Sequence, residues 1–238
     1  MSIFSKETLK PYDWFLILGV ITLNLIYSFL QSEIDIIGSI ASITGVICVV
    51  LVAKRSLSNY IFGAINVSLY AYISYKSELY GDFALNALYY LPMQFIGWAM
   101  WVKERGSINS SGEIDSSLVM SHKMSNKERI LWSIGSIASV LIVGYLLDIF
   151  TSDPQPYKDS ATTVLSIIAM FLLAKKYMEQ WVLWSIANII SIVMWVLVWS
   201  RGGEHAELMV IMWVFYLANS INGLIVWNRA ATTSPRTY

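Results

Sequence analysis

Eight apolar stretches run almost end to end through the chain, and none of them contains an Asp, Glu, Lys or Arg. They cover 14–30, 36–53, 57–75, 83–102, 130–147, 160–174, 180–200 and 208–227. A bilayer core about 30 Å thick takes about 20 helical residues to cross. An ionised side chain at its centre costs on the order of 2.5–3.5 kcal/mol on insertion scales. Stretches this long and this free of charge read as transmembrane helices, so the expectation is an all-α polytopic membrane protein with eight crossings.

Composition agrees and excludes several classes. Hydrophobic residues make up 56% of the chain and charged residues 13%, roughly half of what a soluble domain carries. Eight crossings in 238 residues leave short connections and no room for a soluble domain. A formal net charge of +0 supplies no basic field for nucleic acid. Cys48 is the lone cysteine and lies within the second stretch, which excludes an intrachain disulfide and argues against a metal cluster. His122 and His205 both fall in loops. There is no P-loop, no Lys within the last stretch to hold a Schiff base, and no embedded acid to relay protons. The chain reads as neither an enzyme nor a cofactor or metal protein.

Charge placement sets the expected topology. Lys6 and Lys10 precede a first apolar run that is long for a signal peptide, and its exit at Ser28-Phe29-Leu30-Gln31-Ser32 lacks a small-x-small cleavage pattern. It reads as a retained helix. With the N-terminus inside, the inner segments hold Lys6, Lys10, Lys54, Arg55, Lys103, Arg105, Lys123, Lys127, Arg129, Lys175, Lys176, Arg229 and Arg236, against Lys76, Lys158 and Arg201 outside. That is the positive-inside asymmetry. Acids gather on the other side, at Glu33, Asp35, Glu78, Asp82, Asp148, Asp153, Asp159, Glu204 and Glu207. Both termini are therefore expected in the cytoplasm. The longest connection, 103–128, contains Ser107-Ile108-Asn109-Ser110-Ser111-Gly112 and reads as a flexible linker.

The two sides of that linker repeat each other. Leu51-Val52-Ala53-Lys54-Arg55 corresponds to Leu172-Leu173-Ala174-Lys175-Lys176, and Asn59-Tyr60 to Gln180-Trp181. Tyr90, Gly97 and Trp101 have the spacing of Tyr216, Gly223 and Trp227. Two helix triplets separated by one extra crossing would share one orientation, an architecture in which substrate binds between halves near the midplane. The expected plan is 1–33 as an accessory helix, 34–102 as the first triplet, 103–159 as loop and linker helix, 160–229 as the second triplet and 230–238 as a tail.

Candidate ligand contacts lie along helix stripes. Trp181, Trp184 and Asn188 are spaced i, i+3, i+7 on one face. Indole faces attract cations by about 2 kcal/mol or more when desolvated, although Trp181 also sits where an interfacial belt would place it. Asn86, Tyr90, Gln94, Gly97 and Trp101 form a second stripe, Asn59, Phe62, Asn66 and Tyr70 a third, and Tyr216, Asn219, Gly223 and Trp227 a fourth. Amides at this depth also serve as interhelical glue, about 0.6 kcal/mol each. Their recurrence beside aromatics in both halves favours a lined cavity. Pro92 is the one proline inside a stretch and is a hinge or kink candidate.

The block Asn86-Ala-Leu-Tyr-Tyr-Leu-Pro-Met-Gln-Phe-Ile-Gly-Trp-Ala-Met-Trp101, the Trp181-x-x-Trp184 pair and the triplet–linker–triplet plan resemble the PnuC vitamin transporters. The resemblance implies a bacterial inner-membrane carrier for nicotinamide riboside, with a 3+1+3 fold related to the sugar-carrying SWEET proteins. It further implies facilitated diffusion, with substrate trapped by a cytosolic nicotinamide riboside kinase, and a homo-oligomer, a trimer in reported members. Carried over by motif, Trp181, Trp184, Asn188 and Gln94 would touch substrate; Asn66, Tyr216 and Asn219 follow from the helix stripes alone. Branches of the family carry thiamine or riboflavin, so a thiamine carrier stays open, as does a membrane receptor that moves no solute.

Overall fold

The computed structural model describes residues 9–31, 34–53, 57–108, 123–174 and 177–233. The basic turns at Lys54-Arg55 and Lys175-Lys176, the linker 109–122 with His122, and the tail from 234 lie outside the described residues. The helices are α1 (Pro11–Gln31), α2 (Ile36–Ala53), α3 (Asn59–Lys76), α4 (Tyr80–Ala84), a π-helical segment (Leu85–Tyr90), α5 (Leu91–Ile108), α6 (Asn126–Phe150), α7 (Pro156–Ala174), α8 (Gln180–Ser200) and α9 (Ala206–Thr233). Because α4, the π segment and α5 follow one another without a break, the described residues form eight rods, one for each apolar stretch.

Pro11–Gln31, Asn126–Phe150, Gln180–Ser200 and Ala206–Asn228 are long and apolar enough to cross a bilayer on length and composition alone. Of the other rods, α2 is apolar but shorter, and in the remaining three buried polar groups dilute the apolar run. Asn59, Asn66 and Ser74 on α3, Asp82 and Asn86 on the fourth rod, and Asp159, Ser160, Thr162 and Ser166 on α7 are all turned into the protein. Large apolar side chains such as Phe29, Leu88, Phe95, Leu131, Ile134 and Ile142 point outward, as lipid-facing positions require.

Three boundaries differ from the sequence expectation. α5 runs on to Ile108, so the connection begins six residues later than the end of the apolar stretch suggests. α7 starts at Pro156, whose missing N–H costs nothing in a first helical turn. Asp82 and Asp159, expected in loops, instead occupy the first turns of α4 and α7 and are buried. This corrects the expectation that no helix carries an embedded acid: a first-turn carboxylate directly before an apolar run looks like a loop residue in sequence. The Pro92 kink expectation acquires a local form, since the π segment lies directly ahead of Pro92. A widened turn there accommodates a ring that cannot donate to the carbonyl of Leu88.

Packing groups the rods. α2 lies on α3, and α3 on α4, the π segment and α5; α7 lies on α8, and α8 on α9. These two groups meet where α2 crosses α9 and where α4 crosses α7. α6 packs on α7, where Gly144 admits the Tyr157 ring. Its start is a capping box of Ser125 with Glu128, and Arg129 pairs with Glu179 at 2.8 Å just before α8. α1 packs on α2 and α9, through Ser42 Oγ donating to Asn24 Oδ1 (3.0 Å) and Tyr12 Oη donating to the Ala218 carbonyl (2.8 Å).

The sequence repeat has a physical counterpart. A Cβ added at Gly97 would lie 2.5 Å from Cε1 of Tyr60, and one added at Gly223 would lie 2.5 Å from Cε3 of Trp181. In each group, the first-turn aromatic of the middle rod lies flat on the matching glycine of the last. Gly97→Val and Gly223→Val should each destabilise by roughly 1–3 kcal/mol through overpacking. For a chain of this size that lowers the melting temperature in detergent by about 2–10 °C. Trp181→Ala should recover part of the loss in Gly223→Val and none of it in Gly97→Val. Unchanged melting of both single variants would refute these contacts.

Candidate functional site

At mid-depth, the candidates gather around two glycines on neighbouring helices. Gly45 of α2 lets Asn66 and Tyr216 approach: a Cβ there would lie 2.5 Å from Tyr216 Oη and 2.6 Å from Asn66 Nδ2. Asn66 is 8% exposed; its Nδ2 donates to the Ala41 carbonyl (2.9 Å), and Tyr216 Oη donates to its Oδ1 at 3.5 Å. Gly63 of α3 receives the Gln94 carboxamide oxygen and lies against Cys48 Sγ. Asn66, Tyr216 and Gln94 therefore belong to one region, where α2, α3, α5 and α9 converge. Tyr90, the repeat equivalent of Tyr216, is half-buried at the end of the π segment.

The α8 candidates join this region through α9. Asn188, 2% exposed, donates from Nδ2 to Ser220 Oγ (2.8 Å), which donates to the Tyr216 carbonyl (2.9 Å). Trp184 and Asn219 are half-buried on the same two helices. Trp181 lies a turn nearer the start of α8, pressed on Gly223 and edge-on to Trp227 (ring centroids 6.0 Å, interplanar angle 68°), with its Nε1 buried and without a partner. Its packing matches that of Tyr60, so it holds the group together whatever else it does. Pro92 is exposed and touches none of these groups' shared centre.

Sequence reasoning missed a second cluster, at the end of the bundle where α3 leads into α4 and α6 into α7. Asp159 accepts the backbone N–H of Gly81 (2.5 Å) and of Asp82 (2.7 Å). Asp82 accepts from Tyr70 Oη (2.6 Å) and lies 3.0 Å from Thr162 Oγ1. Tyr70 Oη in turn accepts Trp195 Nε1 (2.8 Å) and Trp213 Nε1 (3.1 Å). The one available signal was an acid placed immediately ahead of a stretch in each half. A cavity of about 630 Å³ also opens at this end, lined by Tyr27, Gln31, Asp35, Glu204, His205 and Glu207 among others, and shares no residue with the mid-depth candidates. Across it, His205 Nδ1 meets Asp35 Oδ2 at 2.7 Å.

An all-helical, multi-pass membrane protein whose two helix groups enclose an uncharged centre of amides and aromatics belongs to the class of small-molecule carriers. Residues 35–229 match the family described as nicotinamide mononucleotide transporter, and the chain belongs to that family, the PnuC transporters. It is 38% identical over 193 residues to the nicotinamide riboside transporter PnuC of Neisseria mucosa, covering 81% of this chain and 72% of that protein. The PnuC of Haemophilus influenzae is 30% identical over 223 residues, 92% of this chain and 91% of that one. A crystal structure titled as the vitamin B3 transporter PnuC superposes with a TM-score of 0.74 at 32% identity, covering 94% of each chain. As a member of a transporter family, the protein is a carrier and not an enzyme. The family match begins at residue 35, after α1 (Pro11–Gln31), whereas the superposed structure covers 94% of the chain and so reaches into α1.

Gly45 offers the most selective test of the centre. Gly45→Ala would push a methyl group between Tyr216 Oη and Asn66 Nδ2 while leaving every polar group in place. Ligand affinity measured by calorimetry should fall roughly tenfold or more, equivalent to about 1.4 kcal/mol, in a variant that still purifies as a monodisperse species. Native affinity would show that the ligand binds elsewhere.

Proposed function

We propose that the protein imports nicotinamide riboside across the bacterial cytoplasmic membrane by facilitated diffusion, with alternating access between two like-oriented triplets. The triplets are α2 to α5 and α7 to α9, α6 is the linker crossing, and α1 is an accessory helix. The termini lie in the cytoplasm, so the ends bearing Asp82, Asp159 and His205 face outward, consistent with the basic residues of the opposite loops. Nicotinamide riboside is the substrate named for the relatives. A cytosolic kinase removes it as its phosphate, and the carrier assembles as a homo-oligomer, a trimer.

The observation that carries this reading is the mid-depth centre itself. Trp184 and Tyr216 can face a flat pyridinium, whose positive charge favours ring faces. Asn66, Gln94, Asn188 and Asn219 match a carboxamide and ribose hydroxyls in number and kind. The family description names the mononucleotide instead, but a phosphate brings about −1.5 to −2 charges. Such a group calls for Arg or Lys partners, and the eight apolar stretches contain neither. That favours the riboside over its phosphate.

In proteoliposomes, the final accumulated level of riboside should follow an imposed potential, about 2.3 kcal/mol per 100 mV for a univalent cation. It should be indifferent to proton or sodium gradients; a strict ion requirement would refute uncoupled transport. Trp184→Ala and Asn188→Ala should abolish uptake in protein that inserts normally. The mononucleotide should not compete with the riboside, and calorimetry should rank the riboside well above thiamine. Uptake surviving both substitutions would place the site elsewhere.

A further inference from the structure

The cluster around Asp82 is the place where α4 of one group crosses α7 of the other. Three carboxyl groups converge there: Asp82 is 2% exposed, Asp159 0% and Asp153 8%. Every element packed against Asp82 contributes a neutral or acidic group. α3 brings Tyr70, α7 brings Thr162 and Asp159, α8 brings Trp195, α9 brings Trp213, and the turn before α7 brings Asp153. Among the described residues, the ion pairs of Lys, Arg and His go elsewhere, Arg129 to Glu179 and His205 to Asp35.

The hydrogen bonds around Asp82 accommodate a protonated carboxyl. A tyrosine hydroxyl has one proton and two lone pairs. Both lone pairs of Tyr70 Oη are taken by indole N–H groups, so its proton goes to Asp82 Oδ2. Thr162 Oγ1 also has a single proton but two acceptors in range, Asp82 Oδ1 at 3.0 Å and the Asp159 carbonyl at 2.8 Å. With Asp82 ionised, Thr162 has one proton for the two, although the Asp159 carbonyl also accepts the helical N–H of Thr163. With a proton on Oδ1, Asp82 donates to Thr162 Oγ1, Thr162 donates to the Asp159 carbonyl, and every contact holds one proton. At the same seam Asp153 Oδ2 is buried without a hydrogen-bond partner, a setting that likewise disfavours the ionised form of a carboxyl.

We propose that Asp82, hydrogen-bonded between Tyr70 and Thr162 across the α4–α7 seam, is a proton-binding latch that holds the outer side of the carrier closed. The location on the outer side rests on the topology proposed above; the protonation does not. Separating α4 from α7 brings water to Asp82 and Asp159, and a hydrated aspartic acid, with an ordinary pKa of about 3.9, is ionised throughout the neutral range, whereas burial in the closed seam favours the protonated form. The closed seam therefore binds the proton more tightly than the open one, and by linkage an acidic outer medium stabilises the closed state while an alkaline one releases it. The proton returns to the side it came from, so the latch changes the rate of exchange and leaves the accumulated level untouched. Trp213 ties it to the centre, since its indole donates to Tyr70 and its ring packs on Tyr216 (centroids 5.2 Å).

Asp82→Asn separates this from a merely structural role. An asparagine with Oδ1 toward Tyr70 and Nδ2 toward Thr162 reproduces the hydrogen bonding of the protonated acid and cannot lose it. Infrared spectra of the reconstituted protein should show the C=O stretch of a buried carboxylic acid in mildly acidic medium, and Asp82→Asn should remove Asp82's share of that intensity. Initial riboside uptake by the wild-type protein should rise roughly three- to tenfold between an outer pH of about 5.5 and about 8. Asp82→Asn should stay at the slow, acidic rate throughout. If the variant does not fold, loss of the wild-type band on raising the pH carries the same information. Undiminished band intensity in Asp82→Asn, the lack of any such band in the wild type, or equal pH profiles in the two proteins would overturn the proposal. The infrared measurement needs no transport, so its outcome stands apart from the identity of the solute.

Discussion

Lipid offers a polar group no hydrogen bond, so each one on these helices is stable only where its own helix or a neighbouring one supplies a partner. Apolar packing alone discriminates poorly between helix faces in a membrane, and polar contacts set which faces meet. The seams follow that rule: Asn24 with Ser42, Asn66 with the Ala41 carbonyl, Asn188 with Ser220, and Asp82 with Tyr70 each stitch two helices. Quality of match differs along the bundle axis. Asp82 accepts from Tyr70 at 2.6 Å, whereas at mid-depth Tyr216 reaches Asn66 only at 3.5 Å, beyond the usual O–H···O range of about 2.5–3.0 Å. The centre thus holds polar groups that an incoming ligand can satisfy better than they satisfy each other.

The two helix groups share a frame and differ in what they mount on it. Tyr60 on Gly97 and Trp181 on Gly223 are the same contact built twice. Counting onward from those aromatics, Trp184 of α8 corresponds to Gly63 of α3, and Asn188 to Val67. Where one half presents an indole, the other has a glycine with the Gln94 carboxamide laid against it. An asymmetric planar ligand needs unlike walls. A symmetric frame with asymmetric furnishing supplies them without disturbing the packing that allows the halves to move as units.

Much of the frame was legible in the chain. Eight charge-free stretches became eight rods, and Tyr90, Gly97 and Trp101 with their counterparts marked equivalent helices because close packing leaves an aromatic–glycine signature that survives drift in the apolar background. Amide and aromatic stripes located the centre for a similar reason: a helix has few reasons to place Asn66 or Asn188 at mid-depth other than a partner or a ligand. The Asp82 cluster was hidden. Its members come from five helices, so no local spacing joins them, and each acid stands at the first turn of its helix, where charge is usually solvated. Gly45 was equally silent, since nothing in sequence says that Tyr216 of a distant helix occupies the space beside it.

Centre and latch are connected by rings in series. Tyr216 packs edge-on against Trp213 at 5.2 Å, Trp213 against Tyr70 at 5.8 Å, and Tyr70 against Trp195 at 5.7 Å. Such pairs contribute about 0.5–1.5 kcal/mol each beyond their burial, and a net hydrogen bond about 0.5–1.5 kcal/mol. Trp213 makes one of each with Tyr70. A solute that turns Tyr216 toward itself must shift Trp213, and that loosens the indole N–H which fills a lone pair of Tyr70. Losing it removes the constraint that sends the Tyr70 proton to Asp82. A disturbance of one to two kcal/mol at the centre then changes the balance between closed and open seams by roughly tenfold. Occupancy and opening can be linked this way through one residue, with no ion moving alongside the solute.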